Sequence, residues 1–168
     1  QKTQNELKHK SEISELELRS LRATMNPHFI FNALNSIQSF YVKNEITSAN
    51  HYMARFSALI RKILNTSFSS SIALEKEMEM LNDYLILESM RLENSIDFDI
   101  QFDRSILNMD IKIPQMLIQP FVENAILHGI PKGGKLRVGF NIKGEDLIIE
   151  VEDNGIGINA SKLTKSKG

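Results

Sequence analysis

Cysteine is absent from this chain, which excludes disulfides and thiolate metal sites and suits a reducing compartment. An excess of charge of either sign is missing too: 20 Lys and Arg stand against 21 Asp and Glu, a formal net charge of −1, and nothing in that balance points to nucleic acid as a partner. No apolar run approaches the roughly 18 residues that span a bilayer, and no secretory leader is visible. The chain begins at Gln1 and is expected to be a piece of a longer protein, any membrane anchor lying upstream. What remains is 168 residues, 42% hydrophobic and 24% charged, enough for one ordinary domain or two small ones.

Hydrophobic spacing divides the chain into a helical part and a mixed part. Leu7, Ser14, Leu18, Leu21 and Met25 follow helical steps with Glu and Lys between them, a narrow seam that predicts a coiled-coil lead-in. The seam resumes at Ile30, Leu34, Ile37 and Tyr41, but the step from Met25 to Ile30 is five, so the phase jumps at Asn26-Pro27. Proline inside a helix costs about 3 kcal/mol, so a restart is expected there, with Asn26 as cap and Pro27 in the first turn. A second helix carries Ile46, Ala49, Met53, Phe56, Ile60 and Leu64 on one face and fades into a serine-rich stretch, residues 65–71, the best domain boundary in the chain. A third is marked by Leu74, Met78, Leu81, Leu85 and Leu92, with Glu75 and Glu77 where a first helical turn favours acids. Beyond it Ile96, Phe98 and Ile100 alternate as a strand, and Leu136, Val138, Phe140 and Ile142 pair across Lys143-Gly144-Glu145-Asp146 with residues 147–151 as a hairpin. The expected class is α+β, with domains at residues 1–70 and 71–168.

His28, Asn32, Asn35 and Ser39 form a polar stripe two residues out of phase with the Ile30 seam, about 200° around the helix. His28 is therefore expected to be exposed, and an exposed imidazole can attack a phosphoryl group through a ring nitrogen. On this segment alone the ordinary surface histidine is the favoured reading, and the rest of the chain reverses it.

Residues 114–129 place Leu117, Phe121 and Ala125 in one apolar row and Ile118, Val122 and Ile126 in the next, a wide face to lie on a sheet. Asn124 and His128 form an i, i+4 pair on its flank. An asparagine oxygen suits Mg²⁺ held between nucleotide phosphates, although Asn124 also reads as a solvent-facing residue and His128 as a helix C-terminal one. Asp153-Asn154-Gly155-Ile156-Gly157 closes the last strand. Glycines there let a backbone approach a ligand, and an aspartate can accept a hydrogen bond from an adenine amino group, yet Asp-Asn-Gly is also a common turn.

Taken together these segments resemble the catalytic core of the LytS-type sensor histidine kinases. The resemblance rests on Pro27-His28-Phe29-Ile30-Phe31-Asn32, on Leu81, Tyr84, Leu85, Glu88 and Arg91, on Glu123-Asn124 with His128-Gly129, and on the Asp153 to Gly157 element. It implies ATP-dependent phosphorylation of His28 and transfer to a response-regulator aspartate, the regulator being of LytTR type; Asn32, one helical turn from His28, is within reach of a water attacking a phosphoryl group on a bound regulator and is expected to serve dephosphorylation. It implies Asn124 as the Mg²⁺ ligand, His128 beside it, and Asp153, Gly155 and Gly157 in an ATP site of the GHKL ATPase type. It implies an antiparallel helical hairpin dimerising as a four-helix bundle, followed by a partial α/β sandwich, in the cytoplasmic part of a membrane-anchored bacterial protein.

Three features depart from the wider kinase pattern. Phe29 stands where an acid often follows the histidine, in keeping with the LytS type, so the general base is unidentified. Leu127 stands where a basic residue often lies three after the asparagine, leaving His128, Lys132 or Lys135 for phosphate contacts. The chain ends at Gly168, short of a second glycine motif, so residues 1–168 by themselves are expected to dimerise without autophosphorylation. The competing reading is a non-catalytic dimeric signalling scaffold, or pseudokinase.

Overall fold

The computed structural model describes residues 26–66, 69, 71–93, 95–130 and 133–155. The lead-in from Leu7 to Met25 and the glycine at Gly157 lie outside the described residues. The chain divides into two compact units, residues 1–72 and 73–168.

The first unit is a hairpin of α1 (Pro27–Val42) and α2 (Ile46–Thr66). Its start follows the expectation: Asn26 caps, its Oδ1 accepting the His28 N–H at 3.0 Å, and Pro27 opens the helix. Lys43, Asn44 and Glu45 reverse the chain, with Asn44 at φ 59, a left-handed position that asparagine tolerates. The face that packs on α2 is not the expected seam. Phe29, Ala33 and Ser36 are buried, against Ala49, Tyr52, Leu59 and Ile63 of α2. Phe29 meets Phe56 at 6.0 Å between ring centroids and Phe40 meets Tyr52 at 5.9 Å. Leu34 and Tyr41 of the expected seam are 53% and 46% exposed, as are Ile46 and Met53 in part. Spacing alone could not separate two adjacent apolar rows on α1. The row holding the larger ring at Phe29 and the small Ala33 lets the helices approach closely and became the internal contact.

β1 (Ile72–Ala73) falls at the boundary, and the second unit continues with α3 (Leu74–Arg91), β2 (Ile96–Phe102), a 3₁₀ turn over Arg104–Asn108 and β3 (Lys112–Ile113). Next come α4 (Gln119–Asn124), a π-helical run (Ala125–Gly129) and the hairpin β4 (Gly134–Lys143) and β5 (Asp146–Asp153). β1 pairs with β3, and a mixed sheet has the order β2-β4-β5 with β2 parallel and β5 antiparallel to β4. Gly144, at φ 66, turns the hairpin at the position where a two-residue loop needs a positive φ. Alternation sends Leu136, Val138 and Phe140 inward, where they are buried together with Ile118, Val122 and Ile126 and with Met80, Leu81 and Leu87. Asp97, Asp99, Lys135, Arg137 and Glu152 populate the opposite face. Their ion pairs, Arg137–Glu152 at 3.2 Å and Lys135–Asp97 at 4.0 Å, are exposed and contribute little, about 0–1 kcal/mol each.

The helix expected over residues 114–129 is shorter and of two kinds. Its regular part is only Gln119–Asn124, and then the turn widens, the Ile130 N–H reaching back five residues to the Ala125 carbonyl at 3.0 Å. Asn124 and His128 consequently are not the i, i+4 neighbours of a regular α-helix. Ile130, which precedes Pro131, is extended, as the proline ring requires of its predecessor, and this ends the helix. Of the two expected apolar rows only Ile118, Val122 and Ile126 is wholly buried, whereas Leu117 and Phe121 face outward, Phe121 at 62% exposure.

Candidate active site

In the helical unit, the stripe opposite the Ile30 row is open. His28, Asn35 and Ser39 are exposed and Asn32 is half-buried. The Asn32 amide nitrogen lies 3.2 Å from His28 Nδ1 and 3.4 Å from Nε2, and the Asn32 carbonyl accepts the Ser36 hydroxyl at 2.7 Å. An amide one turn away can therefore select the tautomer of the ring. Its N–H favours a lone pair on the nitrogen it meets, and with the amide turned over its oxygen favours a proton there, moving the lone pair to the far nitrogen. Phe29 is 1% exposed, its side chain directed into the hairpin core. An acid at that position would be buried and unpaired, so the residue following the histidine serves the fold and not proton transfer.

In the second unit, Asp153 stands opposite Leu136, so its side chain rises from the same face of the sheet as Leu136 and Val138. Its Oδ1 accepts the Gly155 N–H at 2.9 Å, turning the chain sharply after β5. Asn154 fastens that turn to the start of β4, its Oδ1 accepting the Lys135 N–H at 2.7 Å and its own N–H donating to the Lys135 carbonyl at 3.2 Å. A hollow of about 360 Å³ lies mainly on the opposite face of the sheet, lined by Asp97, Asp99, Lys135, Arg137 and Glu152, and reaches Asp153 and Asn154 at the strand end. Asn124 is the last residue of α4 and exposed. The π run that follows it touches β5, but Asn124 does not line the hollow at Asp153. His128 belongs to the π run, and nothing of its side chain is described. A π turn is rare and recurs at functional sites, and here it sits directly after the proposed metal ligand.

The second unit also holds buried polar residues, only some of which were legible in the sequence. On α3, Glu77, Tyr84, Glu88 and Arg91 follow steps of seven, four and three along one stripe. Glu88 is 4% exposed and forms an ion pair with Arg91 at 2.5 Å. Burial pushes the Tyr84 hydroxyl far above its ordinary range, with the Glu88 and then the Glu123 carboxylates adding to the shift, so it stays protonated. Glu77, read from the sequence as a first-turn acid, is 2% exposed and accepts the Met116 N–H at 2.9 Å. Desolvation raises its pKa, opposed by hydrogen bonds from the backbone of Met116, Ile118 and Leu117. Met116 is at φ 57, a left-handed backbone that costs a non-glycine residue about 1–3 kcal/mol. The one sequence clue was a polar stripe inside a helix that is otherwise apolar at the same phase.

Comparison with known proteins accounts for both units. Residues 16–96 match the family described as Histidine kinase, and residues 109–167 match the family of histidine kinase-, DNA gyrase B- and HSP90-like ATPases. The chain is 34% identical to Sensor protein LytS of Staphylococcus epidermidis over 90% of its length and 26% of the relative's. It is 35% identical to Sensor histidine kinase YpdA of Escherichia coli over 97% of its length and 29% of the relative's. It is 31% identical to Sensor histidine kinase BtsS of Escherichia coli, over 88% and 26%. The chain thus spans a little over a quarter of the length of these curated relatives. With a histidine-bearing helical hairpin, an α+β unit ending in the Asp153 turn and matches across both, the chain belongs to the LytS-type sensor histidine kinases.

Proposed function

We propose that this chain is the catalytic core of a two-component sensor kinase. A ring nitrogen of His28 attacks the γ-phosphorus of ATP, the bond to the bridging oxygen breaks, ADP leaves, and the ring N–H proton passes to solvent. The phosphoryl group then moves to an aspartate of a response regulator, of LytTR type by family resemblance, and His28 is restored. The observation that carries the reading is the exposed His28 imidazole held by the Asn32 amide at 3.2 Å on a helix whose next residue is locked in the core. Asn32 is also placed to orient a water during dephosphorylation of the regulator.

Asp153 and the Gly155 turn are assigned to the adenine end of the nucleotide, with Gly157 and His128 completing the site, and Asn124 to the metal. The Asn124 amide oxygen is a hard, exposed donor, which fits Mg²⁺, a cation that takes few protein ligands and keeps phosphate and water oxygens. When bound, Mg²⁺ neutralises charge on the phosphates. Leu34, Tyr41, Ile46 and Met53, partly or half exposed on the hairpin, are assigned to a second copy of the chain in a four-helix bundle. The cytoplasm is the compartment that supplies ATP and the regulator. A non-catalytic scaffold is the second reading, favoured by the exposed Leu127 three residues after Asn124.

Labelling of the full-length protein with γ-phosphate-tagged ATP separates the two. A kinase yields an acid-labile, base-stable label that His28→Gln abolishes without loss of dimerisation, whereas a scaffold takes no label. An acid-labile label that persists on the variant overturns the assignment of His28.

A further inference from the structure

We propose that Glu77 is a positioning residue for the nucleotide site, its carboxylate gathering the backbone N–H groups of residues 116–118 and so fixing the start of the helix that presents Asn124. The inference rests on the assignment of Asn124 and Asp153 to the nucleotide.

α4 needs such help. It is six residues long, too short to offset the cost of its own nucleation, and its N-cap is Ile118, which has no side-chain acceptor. Pro120 lies in its first turn and has no N–H. The N–H groups at a helix start demand an acceptor, and when the local sequence offers none a buried start is costly. Glu77 provides one from 39 residues away, accepting the Met116 N–H at 2.9 Å in a buried contact and drawing on the backbone of Leu117 and Ile118 as well. Successive N–H groups around a left-handed residue make an anion-binding concavity, and Met116 at φ 57 is that residue. A carboxylate here also meets the positive end of α4.

The same first turn of α3 holds the preceding segment, because the Leu74 N–H donates to the Ile111 carbonyl at 2.9 Å. Residues 111–116 are thus strapped to one face of α3 at two levels, and of these two contacts the one from Glu77 is made by a carboxylate. A six-residue helix has no length over which to absorb a displaced start, so an error at residues 116–118 reaches Asn124 at its far end.

The test uses the full-length protein with MgATP as the probe. Glu77→Gln keeps the shape and removes the charge. Its Kd and KM for MgATP are expected to rise roughly ten- to a hundredfold, the value of one charge-assisted hydrogen bond, while His28 labelling at saturating ATP stays near wild type. A merely structural role would lower the folded fraction, and with it the amplitude of labelling, without moving KM. Should Glu77→Gln fail to fold, Glu77→Asp retains the charge but withdraws it by one methylene, and the same rise in KM is expected from it. Wild-type KM in a folded Glu77→Gln or Glu77→Asp protein overturns the proposal. Asn124→Ala and Asp153→Ala run alongside: if they leave MgATP binding intact, the nucleotide-site assignment itself has failed, whereas loss in those two with no change at Glu77 refutes the positioning role alone.

Discussion

The two units hold the residues proposed to act in different ways. In the hairpin, His28 sits on the surface of an ordinary helix, and everything that places it is local: a cap two residues back, an amide four residues on, and a phenyl ring next door turned into the core. In the second unit, Asn124 and Asp153 are also exposed; the turn at Asp153 is held by the Gly155 N–H and by Asn154 on Lys135, whereas the segment leading to Asn124 is held by Glu77, buried and 39 residues away from Met116. The difference teaches that exposure of a functional side chain says little about its support. A phosphoacceptor must be reachable by two partners in turn and is best carried on a self-sufficient helix. A nucleotide pocket is assembled from segments distant in sequence and needs buried polar contacts to hold them in register.

The sharpest way to break this comparison is through Phe29. Phe29→Ala is expected to destabilise the hairpin by about 3–5 kcal/mol, because a buried aromatic contact is lost and a cavity left, while Leu34→Ala on the exposed row changes the fold of one protomer little and weakens association of two. Thermal melts and sedimentation at several concentrations separate the two effects. Equal losses of melting temperature would mean that both rows are internal.

Next in size is the contrast between Asn124→Asp and Asp153→Ala in the full-length protein. The first adds charge at the metal, so the Mg²⁺ dependence of labelling is expected to shift, whereas the second removes the proposed base contact and is expected to weaken discrimination of ATP over GTP by about 1–3 kcal/mol. Titrations of metal and of both nucleotides decide it. Indistinguishable profiles would collapse the division of roles.

The smallest effect is on pH dependence. Because burial raises the Glu77 pKa above its ordinary value of 4.5, its contribution is fully present below that value and is lost as the pH rises through the raised one. The second unit is therefore expected to lose stability with rising pH above about 4.5, and Glu77→Gln to flatten that slope. Asp103 works with the opposite sign, since the Ser105 N–H holds its carboxyl below the usual range and its contribution fades only as the pH falls through that lowered value. Urea unfolding at a series of pH values reads the slope. A Glu77→Gln protein with the wild-type slope would show that Glu77 does not titrate in that window.

Local chemistry was legible without coordinates. Asn26 as cap, Pro27 as the first helical residue, the exposed stripe at His28, the three strands of the sheet and the turn at Gly144 all follow from rules spanning a few residues, and the structure has each of them. What those rules left open was decided by contacts between distant segments. Two adjacent apolar rows on α1 looked alike until α2 took Phe29 and Ala33 and left Leu34 outside. Glu77 looked like any first-turn acid until the chain returned residues 116–118 to it. Asn124 and His128 looked like one α-helical pair until the turn after Asn124 widened and Pro131 ended it. Periodicity and capping are properties of neighbours along the chain, whereas the choice between two rows, or the burial of a charge, is a difference of free energies that exists only once the partner surface is in place.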